Sequence, residues 1–159
     1  MILRTSDFYY GIDPGAKGAV ACISSEGVFK LVEDLPKTDE AWLDLLQIDY
    51  TGPLSYCAIE DVHALPRQST VAGFTFGKNV GKAELLAFNL AAAEEPLRVT
   101  PQKWKKYFGL SRNKKESIEL AKELFPEASE LLTASKDGRA EALLIAEYCR
   151  RYYLDIIGD

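Results

Sequence analysis

The chain has 159 residues, and 19 Lys and Arg against 24 Asp and Glu give a formal net charge of −5. This length suits one domain, so we expect residues 1–159 to form a single folded unit. With 47% hydrophobic and 27% charged residues, the composition excludes a disordered or fibrous protein. No apolar run approaches the roughly 18–20 residues of a membrane span, and no basic-then-apolar signal opens the chain. We therefore expect a cytoplasmic protein with no membrane partner.

The cysteine and histidine content excludes several kinds of site. Cys22, Cys57 and Cys149 are far apart, lie in apolar stretches and form no CxxC pair, which indicates free thiols in a reducing compartment. The single histidine, His63, argues against a zinc site of Cys and His ligands, and no GxSxG nucleophile motif is present. Carboxylates are therefore the main chemical resource of this chain.

The charge is unevenly distributed along the sequence. Residues 1–65 hold 4 basic and 11 acidic side chains, whereas residues 66–159 hold 15 basic and 13 acidic ones. The stretch 98–115 contains seven Lys or Arg and no acid. The net negative charge therefore does not exclude a nucleic-acid partner for the second part of the chain.

Hydrophobic periodicity and turn signals predict a mixed α/β domain. The predicted elements, in chain order, are strands at 8–13, 18–23 and 28–32, a helix at 37–48, a strand at 55–60, a segment at 69–94 that is helical towards its end, a strand at 97–99, and helices from Thr100-Pro101, at 114–125 and at 137–154. The first three strands are expected to form an antiparallel meander. No internal repeat or linker interrupts the chain.

Four acids occupy positions where the predicted elements would bring them together. Asp13 and Glu60 end the first and fourth strands, so parallel pairing of these strands would place both at one edge of the sheet. Asp137 and Glu141 lie four residues apart on one face of the last helix. Clustered carboxylates need cations, and all-oxygen ligands select Mg²⁺ or Mn²⁺. Taken singly, Asp13 is more typical of a turn and Glu60 of a solvated strand end, while Asp137 suits a helix start and Glu141 a surface position.

The basic stretch interleaves its cations with aromatic residues, a combination suited to phosphate contact and base stacking. Trp104 and Phe108 are spaced i and i+4, which favours a core-facing role for both rings. Lys103, Lys105 and Lys106 would then face outward.

Five motifs in order resemble the RuvC-type Holliday-junction resolvases, especially the small phage and organellar branches. They are GIDPGAKGAVA, AIED, FGKNVGKAE, TPQKWKKYFGL followed by NKKES, and KDGRAEALLIAEY, which together span about residues 8–150. The resemblance implies an RNase H-like fold with a five-stranded mixed sheet, three antiparallel strands followed by parallel ones, flanked by helices. It also implies a homodimer and a requirement for Mg²⁺, or Mn²⁺ in its place, with two ions per active site.

The resemblance assigns roles to individual residues. Asp13 and Glu60 match the catalytic acids of the first and fourth strands, and Glu141 matches the second acid of the last helix. The first acid of that helix would fall on Gly138, and Asp137 takes its place one residue earlier. These four acids are the expected catalytic and metal-binding residues.

The resemblance also implies a DNA-binding surface. Lys105 and Lys114 or Lys115 match family lysines near the phosphate, and Lys114 and Lys115 are included among the expected catalytic residues. His63 matches an aromatic position near the junction bases, while Phe74 and Phe76 suit either a dimer face or a junction wedge. The expected DNA contacts are His63, Arg67, Phe76, Lys78, Lys82, Lys103, Lys105, Lys106, Arg112, Lys114, Lys115 and Arg139.

The function expected from the sequence is cleavage of four-way or other branched DNA by paired symmetric nicks that leave 5′-phosphate and 3′-OH ends. Two-metal-ion hydrolysis is the implied mechanism. The expected location is the cytoplasm of a bacterial or phage-infected cell, with an organelle as an alternative. Two functional alternatives stay open: a YqgF-type RNA-processing nuclease, and a branched-DNA-binding module without catalysis. A sugar-kinase-like ATPase is disfavoured because it would need two such domains.

Overall fold

One mixed β-sheet forms the centre of the molecule. The structure is a computed structural model that describes residues 7–47, 54–154 and 156–157. The strands are β1 (Phe8–Asp13), β2 (Ala19–Ser24), β3 (Phe29–Asp34), β4 (Ser55–Glu60) and β5 (Leu97–Val99). Their order across the sheet is β3-β2-β1-β4-β5, with β1 antiparallel to β2, β2 antiparallel to β3, and β1, β4 and β5 parallel. The predicted arrangement of antiparallel strands followed by parallel ones is confirmed.

In the part of the chain that the structure describes, five α-helices flank the sheet. They are α1 (Asp39–Leu46), α2 (Thr70–Leu90), α3 (Pro101–Tyr107), α4 (Lys114–Leu124) and α5 (Asp137–Tyr153), with short 3₁₀ helices at Pro126–Leu131 and Ala134–Lys136. The helix predicted at 37–48 is shorter than expected, and its residue 48 lies outside the described residues. Within the described ranges, no helix is both long enough and apolar enough to span a membrane.

The segment predicted at 69–94 differs from expectation, because helix α2 extends through its glycine-containing first half. Ser69 caps this helix by accepting a hydrogen bond from the Ala72 amide at 3.1 Å. Each glycine costs a helix only about 1 kcal/mol, so Gly73 and Gly77 are tolerated within a well-capped helix. Helix α2 also contains Gly81, so its glycines together cost about 3 kcal/mol against about 1 kcal/mol from the cap, and the burial of Leu86 and Leu90 in its second half offsets the rest.

Alternating side chains of β1 fill two separate cores. Tyr9 belongs to the core beneath α5, whereas Tyr10 and Ile12 belong to the core beneath α1 and α2. Gly11 faces α5 so closely that a Cβ atom there would lie 2.2 Å from the Ala146 amide nitrogen. Asp13, two residues further along the strand, therefore points towards the side of the sheet that α5 covers.

The C-terminal half of α5 is anchored by a buried ion-pair cluster. Glu147 is 3% exposed and accepts hydrogen bonds from Arg150 through both oxygens, each at 2.8 Å. Arg151 adds a third bond to the same carboxylate at 2.7 Å and reaches the Tyr107 hydroxyl at 3.2 Å. Arg150 also donates to the Ser25 carbonyl at 3.1 Å. The cluster thus joins α5 to α3 and to the β2–β3 turn.

Candidate active site

Two of the four acids lie side by side at the end of the sheet. The parallel register pairs Ile12 with Ile59, so Asp13 and Glu60 follow at the same level of neighbouring strands. Asp13 is 7% exposed and Glu60 is 9% exposed. The Gly15 amide donates to Asp13 Oδ1 at 3.0 Å and fixes the carboxylate in the turn that follows β1. The condition of parallel pairing, on which the predicted cluster depended, is fulfilled.

Helix α5 begins against this edge of the sheet and carries the other two acids. A Cβ atom on Gly138 would lie 1.9 Å from the Lys17 carbonyl oxygen and 3.2 Å from Asp13 Oδ2. An acidic residue at position 138 therefore has no room in this backbone arrangement. Asp137 and Glu141 flank Gly138 at the start of α5, and Glu141 is only 4% exposed.

Two lysines lie against the acids of α5. Lys114 is the first residue of α4, and its Nζ lies 2.8 Å from Asp137 Oδ2 and 3.5 Å from Glu141 Oε1. Lys105 Nζ lies 3.6 Å from the same Glu141 oxygen. These two ammonium groups are too distant to hydrogen-bond to Glu141, and its buried Oε1 accepts no hydrogen bond within the described residues. Glu141 Oε1 therefore interacts with these two cations only through space.

Burial and mutual repulsion shift the protonation of the acids at the sheet edge. Burial, followed by the charges of Glu141 and Glu60, raises the pKa of Asp13 to about 7. Burial likewise raises the pKa of Glu60, against the effect of its hydrogen bond from Trp104, and the charge of Glu141 adds to the rise. These carboxylates are therefore close enough to oppose one another's ionisation.

The Asp137–Lys114 pair shows the opposite behaviour. Burial disfavours the charged form of Asp137, but the hydrogen bond and the charge of Lys114 outweigh it and lower the pKa. Burial also opposes the charge of Lys114, yet its hydrogen bond to Asp137 and the charge of Glu141 raise its pKa. The lysine thus stays charged beside the acids.

Trp104 makes a contact that the sequence did not predict. Its ring is 0% exposed, which confirms the expected core-facing role, and Phe108 packs against the same core. The indole Nε1 also donates to Glu60 Oε2 at 2.8 Å. The pairing of the strands explains this contact. Strand β5 runs parallel to β4, so the helix that follows β5 begins beside the end of β4.

The acids match the donor preference of a hard divalent cation. In the described ranges, no three His, Cys, Asp or Glu side chains are arranged to hold a metal ion. Lysine ammonium groups lie against the acids of α5 instead. All the donors are nevertheless carboxylate oxygens, burial and then the charges of the neighbouring acids raise the pKa of Asp13, and Glu141 Oε1 is buried without a hydrogen bond in the described residues. These properties fit Mg²⁺ or Mn²⁺ in donor type and charge.

Several expected DNA contacts form a basic surface beside the acids. Lys105, Lys106 and Arg112 line an open cavity of about 700 Å³ between α3 and the start of α4. Lys103 is exposed on the same helix. The chain turns at Gly109, whose φ of 69° is suited to glycine, and continues towards Arg112. Lys105 therefore lies both in the basic surface and beside Glu141.

The loop after β4 and the start of α2 hold a second group of expected contacts. His63 and Phe76 line an apolar cavity of about 560 Å³ together with Leu65. Arg67 and Lys78 are exposed, and Lys78 Nζ lies 5.7 Å from the centre of the Phe74 ring.

Three other expected DNA contacts lie away from the acids or are engaged in ion pairs. Lys82 pairs with Asp39 at 2.7 Å. Arg139 binds Asp34 through Nε at 2.8 Å and through a second nitrogen at 3.2 Å. Lys115 lines a separate cavity on the other side of α4, so the structure brings Lys114 to the acids and leaves Lys115 apart.

Comparison with known proteins supports the fold described above. No protein-family model matches the sequence, and no curated protein matches it at a significant level. Among solved structures, T. thermophilus RuvC in complex with a Holliday junction substrate aligns over 95% of this chain and 96% of that chain, with a TM-score of 0.65 and 18% sequence identity. The resemblance predicted from the sequence is therefore confirmed at the level of the fold. This chain has the RNase H-like fold of RuvC.

Proposed function

We propose that this protein is a metal-dependent DNA endonuclease that resolves four-way junctions. The observation that carries the proposal is the convergence of Asp13 and Glu60 with the start of α5, where Lys114 reaches both Asp137 and Glu141. Buried acids with adjacent cations at the end of a sheet suit hydrolysis of a phosphodiester. The fold shared with RuvC, solved with a Holliday junction substrate, supports this choice of DNA substrate.

The acids and lysines divide the chemistry between them. Asp13, Glu60, Asp137 and Glu141 would hold Mg²⁺, or Mn²⁺ in its place, as two ions per site. When bound, such ions activate the attacking water and stabilise the leaving 3′-oxygen. Lys114 and Lys105 would stabilise the negative charge that develops on the scissile phosphate. Both lysines already lie within 3.6 Å of Glu141 Oε1, so they are held at the site before DNA arrives.

The surface around the site supplies contacts for the rest of the junction. Lys106 and Arg112 continue the basic surface outward from Lys105 and would contact neighbouring phosphates. The cavity lined by His63 and Phe76 is apolar and open, which suits an unstacked base at the branch point. The ends of the cut would carry 5′-phosphate and 3′-OH groups.

Paired symmetric nicks need two active sites, so we infer a homodimer. Two copies related by a twofold axis match the symmetry of a four-way junction. Helix α2 supports this inference because Val71 and Phe74 on its first turns are 77% and 70% exposed. Such exposure of large apolar side chains is typical of an interface.

A substrate panel tests the proposal. The protein is incubated with Mg²⁺ and three substrates: a synthetic four-way junction, a linear duplex of the same sequence, and a structured RNA. We expect paired nicks with 5′-phosphate ends in the junction alone. Equal cutting of the duplex would contradict junction selectivity, and cutting of RNA alone would indicate the RNA-processing alternative. Junction binding without cleavage, together with no heat of Mn²⁺ binding, would indicate a non-catalytic module.

A further inference from the structure

We propose that Trp104 is a positioning residue that fixes the orientation of the Glu60 carboxylate for metal binding. This inference rests on the proposed function, because it assigns Glu60 to a metal site. The indole Nε1 engages Glu60 Oε2 at 2.8 Å, so Oε1 is the oxygen that Glu60 can offer to a cation. A carboxylate that accepts a charge-assisted hydrogen bond keeps a defined orientation.

The surroundings of Trp104 make it a rigid donor. Its ring is 0% exposed within the core beneath α5. Thr100 caps α3 by accepting a hydrogen bond from the Lys103 amide at 3.3 Å, and Pro101 begins the helix. A buried ring on a capped helix has few accessible rotamers, so the N–H direction is set before any ligand binds.

A second set of contacts fixes the other end of α3. The Tyr107 ring packs edge-on against the Tyr148 ring of α5, with 5.6 Å between their centres. The Arg151 guanidinium lies 5.4 Å from the centre of the Phe108 ring and donates to the Tyr107 hydroxyl. Helix α3 is thus tied to α5, the same helix that carries Glu141. Trp104 therefore holds Glu60 in a fixed relation to the acids of α5.

Trp104 also places the neighbouring lysine. Lys105 Nζ lies 5.3 Å from the centre of the Trp104 ring and 3.6 Å from Glu141 Oε1. The indole N–H group therefore contacts Glu60, and the face of the ring holds the Lys105 ammonium group near Glu141. An aliphatic residue at position 104 would provide neither contact, whereas phenylalanine would keep a ring face and lose only the N–H group.

The experiment compares two tryptophan-to-phenylalanine variants of the full chain. The sequence has two tryptophans, and Trp42 is 4% exposed in the core on the opposite side of the sheet, which makes it a matched control. We expect Trp104→Phe to weaken Mn²⁺ binding by about 10- to 100-fold in calorimetry, as loss of an outer hydrogen bond to a metal ligand does. Trp42→Phe should change the affinity by less than about 2-fold, because its indole does not contact an acid of the site. Wild-type affinity in Trp104→Phe would overturn the proposal.

A second measurement leaves both tryptophans in place, so it does not depend on the folding of the Trp104 variant. Indole ¹H–¹⁵N resonances are recorded for the wild type and for Glu60→Gln. We expect the Trp104 signal alone to move upfield in the variant, and to shift saturably when Mg²⁺ is added to the wild type. An unchanged Trp104 signal in Glu60→Gln would overturn the proposal. Absence of Mn²⁺ binding by the wild type would instead overturn the metal site of the proposed function, and this inference with it.

Discussion

Helix α5 carries two buried glutamates whose surroundings differ sharply. Glu141 is 4% exposed and Glu147 is 3% exposed. Arg150 and Arg151 give Glu147 three hydrogen bonds of 2.7 to 2.8 Å. Glu141 Oε1 accepts none within the described residues and has only two ammonium groups at 3.5 and 3.6 Å.

We expect this difference to distinguish a charge that anchors the helix from one that takes part in the proposed chemistry. Planar guanidinium groups match both oxygens of a carboxylate and hold Glu147 in place. Lysine ammonium groups are point charges on flexible stems, so they can move from Glu141 to a phosphate when a cation takes over the neutralisation of the acid. The incomplete partnering of Glu141 Oε1 therefore fits the role proposed for this carboxylate.

The largest effect is expected on cleavage. Glu141→Gln should lower the rate of junction cutting by about 10³-fold, because it removes a charged ligand from the site. Glu147→Gln should cut at a rate within about 10-fold of the wild type at temperatures where it stays folded, because its hydrogen bonds within the described residues go to Arg150 and Arg151, away from the four acids. Single-turnover cleavage of a labelled junction measures both rates. Equal losses in the two variants would remove the distinction between the two ends of α5.

The stability of the same two variants should follow the reverse order. Glu147→Gln leaves two arginines without their shared acid and should lower the free energy of unfolding by about 2–4 kcal/mol. Glu141→Gln relieves repulsion with Asp13 and should leave this free energy unchanged or raised in the metal-free protein. Urea denaturation without divalent ions measures both. A larger loss in Glu141→Gln would show that the lysines hold Glu141 as firmly as the arginines hold Glu147.

The raised pKa of Asp13 should make the stability of the protein depend on pH. Its pKa of about 7 lies above the ordinary value of 3.8, so the folded protein retains a proton between about pH 4 and 7 that the unfolded chain releases. The free energy of unfolding therefore falls as the pH rises through this range. Asp13→Asn lacks this fall and should be more stable than the wild type at pH 8 by about 1–3 kcal/mol without metal. Thermal unfolding at pH 5 and pH 8 measures the difference, and a wild type that gains stability over this range would contradict it.

The smallest expected effect is on junction binding, when an arginine that is already in an ion pair is replaced. Arg139 is bound to Asp34, and the hydrogen bonds from Arg139 and Lys136 lower the pKa of Asp34 to about 2. Arg139→Gln should therefore change junction affinity by less than about 2-fold. Lys106→Gln should weaken binding and reduce its salt dependence by about one phosphate contact. Binding isotherms at several salt concentrations measure both, and a greater loss in Arg139→Gln would place this residue on the DNA.

Much of the fold was predictable from local patterns. Turn signals and alternation placed β1 and β4 correctly, because both strands end at an acid that follows an apolar run. Local patterns left their parallel pairing as a condition, the family resemblance implied it, and this pairing brings Asp13 to Glu60. The two short 3₁₀ helices before α5 were not predicted, because they lack the periodicity of longer elements.

The partners of individual side chains were less predictable. The spacing of Trp104 indicated burial, but its bond to Glu60 depends on where β5 places α3. Arg139 matched a basic pattern, yet its partner Asp34 lies 105 residues earlier in the chain. Two adjacent lysines have similar local sequence, and only the packing of α4 shows that Lys114, and not Lys115, reaches Asp137.

Mapping the cut positions on a synthetic four-way junction shows whether the protein resolves junctions and whether Glu141 is needed for cutting. Each of the four strands is labelled in turn, and the junction is incubated with the wild type or with Glu141→Gln in Mg²⁺. We expect the wild type to nick two opposed strands at symmetric positions and Glu141→Gln to leave them intact. Wild-type protein that leaves every strand whole, or a Glu141→Gln variant that cuts as fast as the wild type, would contradict it.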